Sequence, residues 1–226
     1  MDGPVKGNRH PEGVARQART RRTRTAVVEA ARTLFLERGY AATTIEAISG
    51  LADTPQATVY RLFSSKVGIL KAVLDVSIVG DDEAVAMMDR PQVRTLLSDH
   101  DPGDQLAGFA ALLRQVMART ASVHRILADA ARSDEDAAAL LAEIARQRRE
   151  GQQSVARALA RSSALRPRLR ERDAADIIYA LASPEVYGLL VLDRGWSGER
   201  YEKWLAAILI DQLLPSPGLR RDSVEA

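Results

Sequence analysis

From Pro55 to Lys66 the chain reads Pro-Gln-Ala-Thr-Val-Tyr-Arg-Leu-Phe-Ser-Ser-Lys, and its side chains are of the kinds that meet a nucleic-acid duplex. The amide of Gln56, the methyl of Ala57 and the hydroxyl of Thr58 can pair with or pack on base edges, which differ for every base pair in the major groove. Tyr60, Arg61 and Lys66 offer donors to phosphate oxygens, contacts that fix position without reading sequence. Thr44 belongs with them, because unpaired amides and a hydroxyl at a helix amino end favour an anion. Upstream, Arg19, Arg21, Arg22 and Arg24 form a basic arm able to enter an adjacent minor groove, where A·T-rich narrowing concentrates negative potential. Plainer readings stay open: Tyr60 can pack between helices, Arg61 can be a solvated charge, and the arm can be a solubilising tail.

No comparable set points to catalysis. The three histidines are His10, His100 and His124, and none stands three or four residues from another. There is no His-Glu-x-x-His, no phosphate-cradling glycine loop and no Gly-x-Ser-x-Gly elbow. Asp134-Glu135-Asp136 stand where a helix begins, so capping and the helix dipole explain them better than a metal does. The expectation is a protein that is not an enzyme, with no catalytic residues, no metal and no cofactor. The chain has no cysteine, which excludes disulfides and thiolate metal sites. Its net charge of +2 is unevenly spread, with 12 Lys or Arg against 7 Asp or Glu in residues 1–80 and an acidic remainder. That asymmetry directs the N-terminal part at phosphates. No run approaches the roughly 18 consecutive apolar residues of a membrane span, and no signal-peptide core opens the chain. A cytoplasmic protein with no membrane partner is expected.

The elements that must carry these residues follow from the apolar periods. Val27, Ala30, Ala31, Leu34 and Phe35 lay one stripe along a helix that starts near Thr23 and stops at Gly39, a residue that takes positive φ without steric cost. Thr43 with Glu46 reads as a capping box for a second helix that buries Ile45, Ile48 and Leu51. A corner at Ala52-Asp53-Thr54 leads, with Thr54 as cap and Pro55 in the first turn, into a third helix ending near Leu62 that buries Val59 and Phe63. Ser64-Ser65-Lys66 opens a fourth, with Val67, Leu70, Val73, Leu74 and Ile78 on one side. After a poorly defined helical stretch between 81 and 100, helices are predicted near 104–119, 122–131, 135–161, 172–193 and 198–214. Pro184 should kink or divide the fourth of these. No segment shows the period-two alternation of a strand. The fold class is all-α: an N-terminal three-helix helix-turn-helix DNA-binding domain, then a C-terminal helical domain. The expected divisions are an arm at 1–20, the head at 21–80, the helical domain at 81–215 and a tail at 216–226.

The last helices are apolar nearly all round, through Trp204–Ile210 and through Ile177, Ile178, Leu181, Val186, Leu189, Leu190 and Val191. One side serves the subunit's own core and the other wants a partner. The expected interface between two copies holds Ile177, Leu181, Leu189, Trp204, Leu205 and Ile208; the alternative is the core of a monomer. On the middle helices Phe109, Leu113, Met117, Leu127, Ile144 and Ile178 could line a pocket, with His124 or Tyr179 as polar contacts, though each also fits an ordinary core.

Residues 22–75 resemble the DNA-binding domain of TetR-type (TetR/AcrR) transcriptional regulators. The likeness is carried by Ala30-Ala31 and Leu34-Phe35, Gly39-Tyr40, Thr43-Thr44-Ile45-Glu46-Ala47-Ile48, Ala57-Thr58-Val59-Tyr60, then Phe63, Ser65-Lys66 and Leu70. It departs at Asp53, where that family usually has glycine, at Thr54, usually valine, at Val67, usually acidic, and at Gly68. Aspartate tolerates left-handed backbone better than most residues, so the corner is kept. Losing the acid and gaining glycine should weaken the start of the fourth helix. The resemblance implies a homodimeric regulator, usually a repressor, paired through its last two helices. Its partners are an inverted-repeat DNA operator and an unidentified small-molecule effector, which moves the two heads out of register. The alternative is a helical DNA-binding protein without an effector, architectural or constitutive.

Overall fold

A computed structural model describes residues 11–79 and 101–216. The helical piece expected between 81 and 100, most of the arm's first half and nearly all of the tail lie outside the described residues. The described residues contain helices and no strand: α1 Pro11–Ala42, α2 Ile45–Leu51, α3 Gln56–Phe63, α4 Lys66–Val79, α5 Pro102–Ala130, α6 Glu135–Arg161, α7 Glu171–Leu181, α8 Pro184–Tyr187 and α9 Gly198–Leu213, with a π-helical stretch Gly188–Asp193 before α9. They group into two compact units that divide inside α4, between Val73 and Leu74.

In the first unit, the predicted stripe of α1 is buried together with Val28, and Ile48, Val59, Phe63, Ile69, Leu70 and Val73 complete the core. Gly39 (φ 75, ψ 172) breaks α1 where the sequence requires it. Phe35 and Tyr40 stack across the break with ring centroids 5.8 Å apart. The helix starts at Pro11 rather than near Thr23, so Arg19, Arg21, Arg22 and Arg24 stand on α1 and not in an extended arm. The cap shifts by one residue, and the expected box does not form, because the third position after Thr44 is Ala47, which has no side-chain acceptor to return the bond. Thr44 is the N-cap of α2 and accepts from the Ala47 amide at 3.1 Å, while the buried Thr43 hydroxyl donates to the carbonyls of Gly39 (2.8 Å) and Leu34 (3.2 Å). The sequence pattern cannot separate two adjacent threonines; burial does. Leu51, expected inside, is exposed because α2 ends there.

Asp53 holds φ 45 at the corner, as its tolerance of that region predicts. Thr54 is not a cap: its hydroxyl donates to Ala52 O at 3.0 Å, and Pro55 takes the N-cap position of α3 without a side-chain bond. Between α3 and α4, Ser64 (φ 64, ψ −40) closes a tight turn in which the Ser65 amide donates to Phe63 O at 2.7 Å. Such three-residue turns are strained. Ser65 then accepts from the Gly68 amide at 3.1 Å, and a Cβ at Gly68 would stand 2.0 Å from the Phe63 carbonyl oxygen. Glycine is therefore what lets α4 start this close to α3, which reverses the expectation that it weakens the junction.

In the second unit, α5 packs on α9 and α6 on α7. Their core holds Leu106, Phe109, Met117, Val155, Leu159, Ile178, Tyr201, Leu205 and Leu209. The two helices expected at 104–119 and 122–131 are one, α5. Asp101 caps it by accepting from the Gly103 and Asp104 amides, with Pro102 in the first turn. Asp134 caps α6 by accepting from Ala137 N, so the acidic cluster serves the helix end as predicted. Arg119 of α5 donates to the carbonyls of Ser77 (3.0 Å) and Ile78 (3.2 Å) of α4. Pro184 divides the helix as expected. Ser183 caps α8, and α6 reaches across to the break, Arg148 donating to Tyr179 O at 3.3 Å and Gln152 to Ala182 O at 3.2 Å. The 171–193 run is long and apolar enough to cross a membrane by composition, but it is broken here and Ala174, Ala175, Ile178, Ala182 and Tyr187 lie in the core.

Two glycines give opposite expectations. Gly68→Ala should destabilise the full chain to urea by about 1–3 kcal/mol through the clash with Phe63. Gly50→Ala, in α2 with open space around it, should stabilise by about 0.5–1 kcal/mol. A Gly68→Ala chain as stable as the parent would contradict the close approach.

Candidate nucleic-acid interface

The amino end of α3 is built to face outward. Val59 and Phe63 anchor it in the core, one helical turn apart, which leaves Gln56, Ala57, Tyr60 and Arg61 exposed and Thr58 partly so. Tyr60 is 50% exposed, which rejects its packing between helices within the chain. No side chain caps the first amides of α3, so the helix presents unpaired N–H groups beside those side chains. Thr44 is exposed at the start of α2, and its hydroxyl, while accepting from Ala47, keeps its own proton to donate.

Arg19, Thr20 and Thr23 of α1, with Asp53, Thr54, Pro55, Thr58, Arg61 and Leu62, line an open groove of about 280 Å³ beside this turn. Because α1 continues through residues 19–24, these groups are held on a helix, a feature the broken apolar period before Thr23 concealed. Two of the expected DNA contacts, the exposed Arg24 and the partly buried Lys66, also bond within the head. The Arg24 guanidinium lies 4.6 Å from the Phe63 ring centroid and donates to Leu62 O at 3.3 Å, tying α1 to the end of α3. The Lys66 ammonium donates to Tyr40 O at 2.9 Å and Thr43 O at 3.1 Å and sits 4.0 Å from the Tyr40 ring centroid. Arg22 remains exposed.

Residues 27–73 match the family model for bacterial regulatory proteins of the tetR family. The head is therefore similar in sequence to that family. A likeness of fold to solved structures extends over most of the chain. SmeT in its triclosan complex aligns with 90% of this chain and 97% of its own, at TM-score 0.68 and 17% identity. A second SmeT structure, the repressor of the Stenotrophomonas maltophilia multidrug efflux pump SmeDEF, aligns with 90% of this chain and 96% of its own, at 0.62 and 17%. NalD of Pseudomonas aeruginosa, the secondary repressor of the MexAB-OprM multidrug efflux pump, covers 86% of this chain and 98% of its own, at 0.63 and 21%. At these identities the likeness is one of fold. No curated protein matches the chain in sequence.

Phe109, Met117, Leu127 and Ile178 are buried, and Leu113 packs against the core. Ile144, His124 and Tyr179 are partly exposed; the Tyr179 ring carries the Arg148 guanidinium at 4.0 Å and Arg149 at 5.5 Å. Burial holds the His124 imidazole below its ordinary pKa, opposed by Glu185 and assisted by Arg148. Among the described residues, two buried side-chain atoms have no protein partner, Gln152 Oε1 and Tyr201 Oη. Neither residue stood out in the sequence. Of the expected interface residues, Leu205 is fully buried in the subunit's own core and is withdrawn, because α9 turns that face toward α5. Leu189 is 60% exposed and Leu192 42%; Ile177, Leu181, Trp204 and Ile208 are half-buried.

Because the folded chain binds the His124 proton less readily than the unfolded one, stability should fall as pH drops through the ordinary imidazole value of about 6.5. His124→Gln should flatten the urea midpoint between about pH 7.5 and about pH 5.5, since the group that titrates there is gone. An equally steep response in the variant would clear His124 of the effect.

Proposed function

We propose that this protein is a transcriptional regulator of the repressor type, which binds an inverted-repeat operator as a homodimer and is released by a small molecule. The observation that carries the reading is the uncapped, exposed first turn of α3 with Gln56, Ala57 and Thr58, flanked by Tyr60, Arg61 and the basic groove along α1. A helix fits the major groove, and residues at its amino end reach base edges while neighbouring elements hold the backbone. Thr44, Arg22, Tyr60 and Arg61 are the proposed phosphate contacts. The same reading assigns the protein to the cytoplasm, with the DNA it regulates.

Exposed Leu189 and Leu192, continuous with half-buried Trp204 and Ile208, support a second copy as the partner of the last helices. A small-molecule partner is supported by the apolar interior of the second unit with its two unpaired polar atoms, Gln152 Oε1 and Tyr201 Oη. That chemistry fits an effector that is mostly apolar and carries a group able to hydrogen-bond. SmeT and NalD are described as efflux-pump repressors, and SmeT with triclosan; only the general pattern of a ligand-responsive repressor is carried over to this chain.

Selection from a random duplex library should recover an inverted repeat whose half-sites lie about 34 Å apart or a multiple of that. Binding of a single asymmetric half-site by monomers would sink the reading. On the selected duplex, Gln56→Ala or Thr58→Ala should relax sequence preference more than affinity, and Arg61→Ala should weaken all sequences alike and reduce the salt slope by about one. Leu189→Glu, at an exposed position, should yield folded monomers by sedimentation; a stable dimer would remove Leu189 from the interface.

A further inference from the structure

Lys66 opens α4, yet its ammonium points back at the corner between α1 and α2. Two of its three donors are spent on Tyr40 O (2.9 Å) and Thr43 O (3.1 Å), and the charge lies over the Tyr40 ring at 4.0 Å. Both carbonyls belong to the turn that follows Gly39, where the helical ladder has been broken. Tyr40 O also accepts from the Thr43 amide at 3.3 Å, so the ammonium adds a charged donor to a turn that the backbone closes with a single long bond. The same turn is held from inside by the Thr43 hydroxyl on Gly39 O and Leu34 O. The very next residue is Thr44, the N-cap of α2 and a proposed phosphate contact.

We propose that Lys66 is a positioning residue for DNA binding and not a phosphate contact: it sets the aim of Thr44 and of the amino end of α2 by holding the two carbonyls that precede them. The proposal rests on the regulator reading above. Two carbonyl bonds and the aromatic face hold the ammonium at the corner, so a phosphate that drew Lys66 outward would weaken the corner that presents Thr44. Arg61 has no such commitment and serves as the contrasting case.

Lys66→Met keeps the length of the side chain and removes its donors. Amide exchange in the free, full-length protein and binding to a mixed-sequence duplex over a series of salt concentrations together test the idea. Exchange at Ala47, whose N–H depends on Thr44 as cap, should quicken about tenfold while the amides of Val59 and Phe63 in α3 keep their protection. Duplex affinity should fall with the slope of log affinity against log salt unchanged, whereas Arg61→Ala should lower that slope by about one. A slope lowered by one in Lys66→Met would make Lys66 a direct phosphate contact and overturn the proposal. Exchange that quickens evenly through the head would show general destabilisation and overturn it equally, as would unchanged affinity and unchanged Ala47 exchange. Should Lys66→Met not fold, Lys66→Gln, neutral but still able to donate to one carbonyl, carries the same two readouts with a smaller loss of affinity and the same unchanged slope. Wild-type protein without salt-dependent duplex binding would overturn the regulator reading and this proposal together; normal wild-type binding with a shifted Lys66 slope overturns this proposal alone.

Discussion

A helix cannot pair its own first amides or last carbonyls, and in a chain of helices joined by very short corners those groups end up partly buried. Many polar side chains among the described residues answer that constraint. Thr44, Asp101, Asp134, Ser183 and Ser197 cap amino ends. Thr43, Lys66, Arg119, Arg148 and Gln152 donate to carbonyls at helix ends and breaks, often from a different helix. These bonds specify where one helix stops relative to the next, which apolar packing alone leaves loosely defined, because hydrophobic burial is not directional.

Against that pattern the start of α3 stands out. Pro55 supplies no side-chain cap and no amide, the next residues are polar and outward, and a basic groove lies alongside. The start of α7 likewise lacks a side-chain cap, and water can pair the open amides at either end; what sets α3 apart is the run of outward Gln56, Ala57 and Thr58 beside its open amides. Anchoring by Val59 and Phe63, the clamp of Arg24 on Phe63 and Leu62, and the tight Ser64 turn fix the orientation of that open end. Rigidity behind and openness in front is what a reading surface requires.

The constellation at α3 was legible because residues able to pair with base edges follow one another along a single short helix and their partners on the core side are apolar at helical spacing. The all-helical class, the break at Pro184 and the left-handed corner at Asp53 were legible for the same local reason. The side chains that bridge different elements were not. Lys66 and Arg24 look like surface cations beside a DNA reader, since a sequence shows the charge of a residue but not which carbonyl it faces. Gly68 looked like a weak start to a helix because its neighbour, the Phe63 carbonyl, reaches it only through the fold of the Ser64 turn. Gln152 and Tyr201 gave no signal, because a buried atom without a partner is a property of surroundings drawn from several helices.

From the amino-acid order alone came the periodic apolar faces, the glycine and proline positions that end helices, and the run Gln56–Arg61 with the chemistry to meet DNA, all set by interactions within about one helical turn. The tertiary structure decided which of two threonines caps α2, which basic residues face solvent and which face backbone, and which side of α9 belongs to its own core. Those outcomes depend on groups far apart in sequence being brought within hydrogen-bond or van der Waals reach, and distances of that kind exist only once the helices have packed.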